Sequence, residues 1–526
     1  MRIRKRHIAA SLAGLGVAWT SWTVYDAISM RPGPATDYGL MLYERALERQ
    51  GVTPDGFTPS ENGWGDFVAA INAVQGVLRA GDNRVATKWP GESLDLAILR
   101  GDGTYRADRA DELYLAAVDT VRAIRDMGAD EQLDRALSAR VLTRDRPTGG
   151  LLNILLPELG PARSTARYIA ADIALASLEG DTARCVRQFD RGLRIGDLFN
   201  HRWCLIESLV GMAIDTLIMG EMGRELAERE FTEADLEGIL RAIDRHPEID
   251  VEYFIGNERL TIRSFLQDIY TDDGAGDGRL ILSRYAQLAS AWGAVGGVGI
   301  PRQLGPVANV GSGLFASKKE AIARADALYD ATAQFAMTPP WRRVGPPVDA
   351  EDGPLEMTSL KYRPLAMFVP SLTGPTRSID TLQCHRAGLV TLAAVELYRV
   401  RNGRLPESLA ELVPGVIAEL PIDPYTGEPL VYRLAEAGDP SAPRGFILYS
   451  VGPDLTDDGG DFRGKSSWNG EWQHAWQVYN PEAPLDRAYH MPREPAKVED
   501  EFANEAEWTP PPIPPGNQKA SPGQPQ

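Results

Sequence analysis

The chain has 526 residues, with 55 Lys and Arg against 73 Asp and Glu and a net charge of −18. That length allows two or more domains with ample cores, and an acidic surface without a basic stripe interleaved with aromatics excludes nucleic acid as a partner. The three cysteines, Cys185, Cys204 and Cys384, lack metal-ligand spacing and exclude a disulfide framework, leaving room for one Cys185–Cys204 bridge at most.

Residues 1–30 read as a membrane anchor or signal. Arg2, Arg4, Lys5 and Arg6 precede a run from Ile8 to Tyr25 that carries no charge. As a helix these residues span about 27 Å, near the lower limit for crossing a bilayer. Trp19, Trp22 and Tyr25 lie where an interfacial aromatic belt belongs. The basic cluster places the N-terminus in the cytoplasm and the rest outside. The expectation is therefore a single-pass protein of the cell membrane, held through residues 8–25, with a periplasmic body. A cleaved signal peptide, with Ala27 and Ser29 before the cut, is the competing reading and gives a secreted body.

Arg31-Pro-Gly-Pro34 breaks the helix and opens an α-helical domain over residues 31–337. Tyr38–Gln50, Gly65–Ala80 and Ala107–Met127 have the spacing of amphipathic helices. In Ala162–Leu226, one helix stops at Gly180, and Asp181 caps the next, Thr182–Phe199. This helix, turn, helix pattern resembles tetratricopeptide-like hairpins, but no repeat of fixed period can be laid down, so an irregular bundle is expected. Trp203–Leu226, Thr232–Ile243 and Asp250–Tyr270 continue it. Glu207 and Asp215 interrupt the third helix; they are read as meeting arginines from neighbouring helices, with a carboxylate pair as the alternative. The glycine-rich stretch Asp272–Gly313 fits neither a phosphate loop nor a dinucleotide fingerprint, and a mobile or interfacial loop is expected around Leu280–Trp292. Phe315–Phe335 is helical again.

Residues 338–375 are proline-rich and form the expected linker to a small α+β module at 376–480. Its helix, Thr381–Asn402, carries an apolar stripe (Leu382, Leu389, Leu392, Ala393, Val395, Leu397, Val400) and stops at Asn402-Gly403. Then come Leu405-Pro406, the Ser408–Leu412 turn, Leu420-Pro-Ile-Asp-Pro424, strand-like runs at Leu430–Leu434 and Gly445–Ser450, and an acidic loop, Gly452–Asp461. Trp472–Val478 alternates as a strand. Residues 481–526 are acidic, then rich in Pro, Gly and Gln, and read as a disordered tail.

The order of Tyr398-Arg-Val-Arg-Asn-Gly-Arg-Leu-Pro406, Leu420–Pro424, Leu448-Tyr-Ser-Val-Gly-Pro-Asp454 and Asp457-Asp-Gly-Gly460 resembles the soluble C-terminal part of the type II secretion major pseudopilin family. The resemblance covers about 80 residues, so it implies a borrowed module and not the nature of the whole chain. A pseudopilin's membrane helix runs directly into the helix matching Thr381–Asn402; here the membrane-length segment is far upstream. The family holds calcium in the loop after Leu-Tyr-Ser, which implies calcium at Asp454, Asp457, Asp458 and Asp461. Hard carboxylate oxygens on a glycine-rich loop suit that ion, while an ordinary solvated turn is the alternative.

No metalloprotease, serine-hydrolase or Cys-x-x-Cys motif is present. Cys384 and His385 are adjacent on a helix and point to different faces. The overall expectation is a mainly α protein: an irregular multi-helix domain followed by a small pseudopilin-like α+β module. Its function is read as membrane-anchored binding or scaffolding in secretion or envelope assembly, with protein partners. The alternative is an envelope hydrolase with its site between the helical domain and the glycine-rich loop.

Overall fold

The computed structural model describes residues 22–33, 36–86, 96–100, 104–151, 154–272, 277–291, 302–344, 359, 361–366, 373–436, 438–439, 442–457, 459–460, 487–490, 497–499 and 505–514. It is mainly helical, and helices of nine or more residues are numbered here in chain order. The N-terminal run to Ser21, the expected strand at Trp472–Val478 and most of the expected linker lie outside the described residues. Among the described residues no helix is long and apolar enough to cross a membrane.

The centre is built from α5 (Leu159–Leu178), α6 (Thr182–Asn200) and α7 (Leu205–Glu228), which pack on one another in succession. The first turn forms as the sequence predicts. Gly180 adopts φ +79°, and the Asp181 side chain accepts the Arg184 amide at 2.9 Å, satisfying an amide the helix cannot. α5 is apolar on nearly every side because neighbours cover it all round. Its one fully buried carboxylate, Asp172, is answered by Arg184, Arg125 and Gln188. Asp130 on α4 (Ala129–Leu137) joins the same network through Arg184 and Arg191.

α6 and α7 cross closely because glycines line the crossing. A Cβ on Gly192 would fall 2.7 Å from Ile218, and one on Gly196 only 1.8 Å from the Asp215 carboxylate. Asp215 instead accepts Asn200 Nδ2 at 2.5 Å and pairs with His246 Nε2 at 3.1 Å. The expectation for α7 is thus half met. Glu207 does find an arginine, Arg144, but Asp215 finds a histidine and an amide. The two acids turn to different partners.

α12 (Thr373–Asn402) begins eight residues before the run read from sequence and lies on α7 and α8 (Glu233–Arg245). Six of the seven expected stripe residues are buried; Val400 is exposed. Gly403 closes the helix at φ +68°, its amide on the Arg399 carbonyl. Arg401 pairs with Glu233 and Glu237 at the start of α8, while Arg386 reaches its end, so the two helices run antiparallel. The strands expected on either side of residue 440 form: β2 (Val431–Leu434) pairs antiparallel with β3 (Phe446–Ser450), Val431 opposite Tyr449. One apolar core runs continuously from Phe67 on α2 (Trp64–Ala86) through α5–α8 to Leu389 and Leu392 on α12 and Phe446 on β3.

Two expectations are corrected. The loop expected around Leu280–Trp292 contains α10 (Leu282–Ala291), entered through a bridge of Tyr270 with Leu280. The fully buried Leu280 and Tyr285 anchor it despite the flanking glycines. The expected disordered tail carries β4 (Arg487–Ala488), which pairs with β3, β5 (Lys497–Glu499), parallel to β1 (Thr104–Arg106), and β6 (Glu505–Glu507), antiparallel to β5. Aromatic anchors explain this. Tyr489 is fully buried against Cys384, and Trp508 packs edge-on to Tyr114. A few such residues outweigh a polar average when matching surfaces exist elsewhere in the chain.

Arg386 donates to the carbonyls of Ile243 and His246 at 2.8 and 2.6 Å, closing the end of α8 from another helix. Arg386→Met should lower unfolding stability by about 1.5–3 kcal/mol, measured by urea denaturation at neutral pH. An unchanged midpoint would show that solvent replaces the contact at no cost.

Candidate functional site

A cavity of about 500 Å³ opens where α6 ends, between α1 (Tyr38–Glu48), the end of α4 and the residues after α8. Its wall carries Arg49, Arg194, Asp197, His201 and Arg202, with Leu137, Leu142, Leu198 and Pro247 among its apolar residues. Three arginines face one aspartate there, in a chain whose net charge is −18.

The α6 terminus positions the polar groups. Asp197 and His201 are one turn apart, and His201 Nδ1 lies 2.8 Å from Asp197 Oδ1 and 3.3 Å from the Asp197 carbonyl. Both neighbours are acceptors, so Nδ1 carries a proton. Nε2 is buried without a hydrogen-bond partner among the described residues. Burial pushes the Asp197 carboxyl up, but the hydrogen bond and charge of His201, helped by His246 and Arg49, win and hold it below the usual range. Arg49 pairs with Asp250 at 3.0 Å and lies 5.1 Å from the Tyr253 ring centre.

Arg202 is the unusual member. It is 3% exposed, its guanidinium stands 4.0 Å over the Trp64 ring, and its Nε and Nη2 have no hydrogen-bond partner among the described residues. Burial first, and the nearby Arg144 second, push its pKa down to about 10. Stacking on Trp64 offsets part of the cost of burying the charge but leaves the in-plane N–H donors unused. Behind it, Arg144 pairs with Glu158 and Glu207 and lies over Trp203. Glu258 accepts the Leu205 amide, and burial raises its carboxyl to about 7.

This arrangement can hold an anion: the guanidiniums of Arg49, Arg194 and Arg202 line a cavity that also carries Asp197, Gln50 and an apolar wall. Among the described residues no serine, threonine or cysteine lines it, and none of its lining comes from the described part of the glycine-rich stretch 272–313 expected to border a hydrolase site. Sequence reading gave no role to Arg49, Arg194, Asp197, His201 or Arg202. The only signal was Asn200-His-Arg-Trp203, a polar and aromatic stretch between two long helices.

The expected metal residues are placed only in part. Asp454 accepts the Thr456 amide at 3.3 Å; Asp457 accepts the Tyr449 hydroxyl at 2.9 Å and the Gly459 amide at 2.8 Å. Asp458 and Asp461 lie outside the described residues. Among the described residues no group of three or more His, Cys, Asp or Glu could hold a metal ion. Cys185, Cys204 and Cys384 are free thiols. Cys384 contacts Tyr489, whereas His385, held to about 3 by burial and by Arg487, faces Arg487.

No family model, curated protein or solved structure matches this chain.

Glu258 gives this region a pH signature. Its folded pKa is raised from 4.5 to about 7, so its contribution to stability is complete below pH 4.5 and is lost as pH rises through 7. Glu258→Gln retains an acceptor for Leu205 and removes that loss, so the variant should gain on the order of 3 kcal/mol over wild type above pH 7 and little at pH 4.5. Parallel pH–stability curves for the two proteins would contradict it.

Proposed function

We propose that this protein is a membrane-anchored, extracytoplasmic binding protein of the cell envelope. Its helical body takes a small anionic ligand, carrying a carboxylate or phosphate, at the end of α6, and its C-terminal part serves as a pseudopilin-like module for protein partners in secretion or envelope assembly. One observation carries the binding reading: Arg202, buried and stacked on Trp64, keeps Nε and Nη2 donors that no described residue accepts, at a cavity also lined by Arg49, Arg194 and His201. An unpaired buried charge costs stability, and a bound oxyanion repays that cost. The volume suits a ligand larger than phosphate itself, with apolar wall to cover its remainder.

The envelope reading is supported by the basic N-terminus and uncharged run of Ile8–Tyr25. The pseudopilin-like reading is supported by the ordered motifs of 398–460 and by a helix that precedes a β2–β3 pair.

Inorganic phosphate, as a minimal probe, should raise the Tm of the full chain at millimolar concentration, whereas chloride at equal ionic strength should not. Arg202→Met should weaken binding at least about tenfold by calorimetry. Equal phosphate affinity in the variant would remove Arg202 from the site.

Calcium at Asp454, Asp457, Asp458 and Asp461 is proposed for the acidic loop and has its own test. Millimolar calcium should raise the Tm of the wild-type chain, and the double variant Asp457→Ala, Asp458→Ala should lose the rise. No calcium-dependent shift in the unmutated protein rejects the site.

A further inference from the structure

The segment Arg302–Leu314 is a 3-10 helix of 13 residues, a long run for a conformation used mostly in short pieces. With three residues per turn, positions three apart share a face, and here the faces are inverted. Asn309 and Ser312, three apart, point inward, 1% and 3% exposed, while Val307 and Val310, also three apart, point outward, 46% and 56% exposed; Leu314, on the next row at the segment's end, is 66% exposed. Asn309 works as a clasp: its Oδ1 accepts the Ser283 amide at 3.0 Å and its Nδ2 donates to the Ala27 carbonyl at 2.8 Å. Its contact with Ala27 places the 3-10 segment against the helix at residues 22–29, whose exposed face carries Trp22, Tyr25 and Ile28, again three apart. Asp26 and Arg279 tie the same helix down with a 2.6 Å ion pair.

Ala308 packs inward on the apolar cluster, but two buried polar residues beside exposed valines are the reverse of what water selects. The chain itself indicates what covers this face. The helix at 22–29 opens with the last four residues of the uncharged run Ile8–Tyr25, with Trp22 and Tyr25 where an interfacial belt belongs, and Asp26 follows that run directly. No charged residue occurs between Arg302 and Lys318, so the neighbouring segment can enter the same environment without burying a charge.

We propose that Val307, Val310 and Leu314 form a second, monotopic contact with the lipid bilayer beside the N-terminal segment, so that the helical body rests on the membrane and does not hang from a single tether. This rests on the membrane-anchored reading above. The apolar face then sits about 5–10 Å into the headgroup–acyl boundary, and the clasp through Asn309 fixes the body's orientation to the bilayer.

The test uses the full chain with Cys204→Ser, reconstituted in phosphatidylcholine–phosphatidylglycerol vesicles, with an environment-sensitive fluorophore on one introduced cysteine. Tyr25→Cys reports the anchor, Val310→Cys the proposed contact, and Glu252→Cys the far body. Blue-shifted emission quenched by brominated lipids at positions 25 and 310, but not at 252, is the expected result. Quenching at 25 alone leaves the anchor standing and overturns the second contact. Quenching at neither position overturns both. A shift at 310 that follows protein concentration and ignores brominated lipid would assign the face to a second copy of the chain and likewise overturn the proposal.

Discussion

The contact between Gly196 on α6 and the Asp215 carboxylate on α7 fixes the centre of this molecule. A Cβ at Gly196 would occupy the carboxylate's place, so glycine allows a charged side chain to sit inside a helix crossing. Asp215 then binds Asn200 on its own hairpin and His246 beyond α8. One buried acid in the middle of α7 thereby joins the ends of α6 and α8. Such an acid is tolerated only when its oxygens are answered, and here the demand sets the helix registers. His246 is part of the balance: burial pushes it toward neutrality, but Asp215 outweighs that and raises its pKa.

The same turn carries the candidate site. Asp197 follows Gly196 directly, and His201 and Arg202 follow Asn200. Whatever holds Asn200 on Asp215 holds these three side chains at the cavity. Elsewhere buried carboxylates meet arginines: Asp172 with Arg184, Glu207 with Arg144, Glu396 with Arg444, Asp380 with Arg343. Arg202 stands apart from this economy of pairs. It is a cation stacked on an aromatic ring, with two donor nitrogens unpaired among the described residues of an acidic protein, and that contrast makes it the residue a ligand would seek.

Local signals in the sequence were reliable where the chemistry was local. Gly180-Asp181 and Asn402-Gly403 marked helix ends because a positive φ and a capping carboxylate are properties of neighbouring residues. The apolar stripe of Thr381–Asn402 was legible because burial follows helical spacing. What failed was long-range. No pattern near Asp215 reveals that His246 will meet it, and none near Arg202 reveals Trp64, which lies 138 residues earlier. The polar tail looked disordered because composition averages over Tyr489 and Trp508, whose partners are Cys384 and Tyr114. The cavity collects residues from four separate stretches of chain; without a repeat or motif to join them, a sequence does not display them together.

The most direct test is crystallographic. Crystals of the full chain soaked with tungstate, a heavy oxyanion, should show an anomalous peak inside the cavity, within hydrogen-bonding reach of the Arg202 guanidinium. A structure in which Arg202 is instead paired with a protein carboxylate, or in which the oxyanion appears only on the outer surface, would contradict the account.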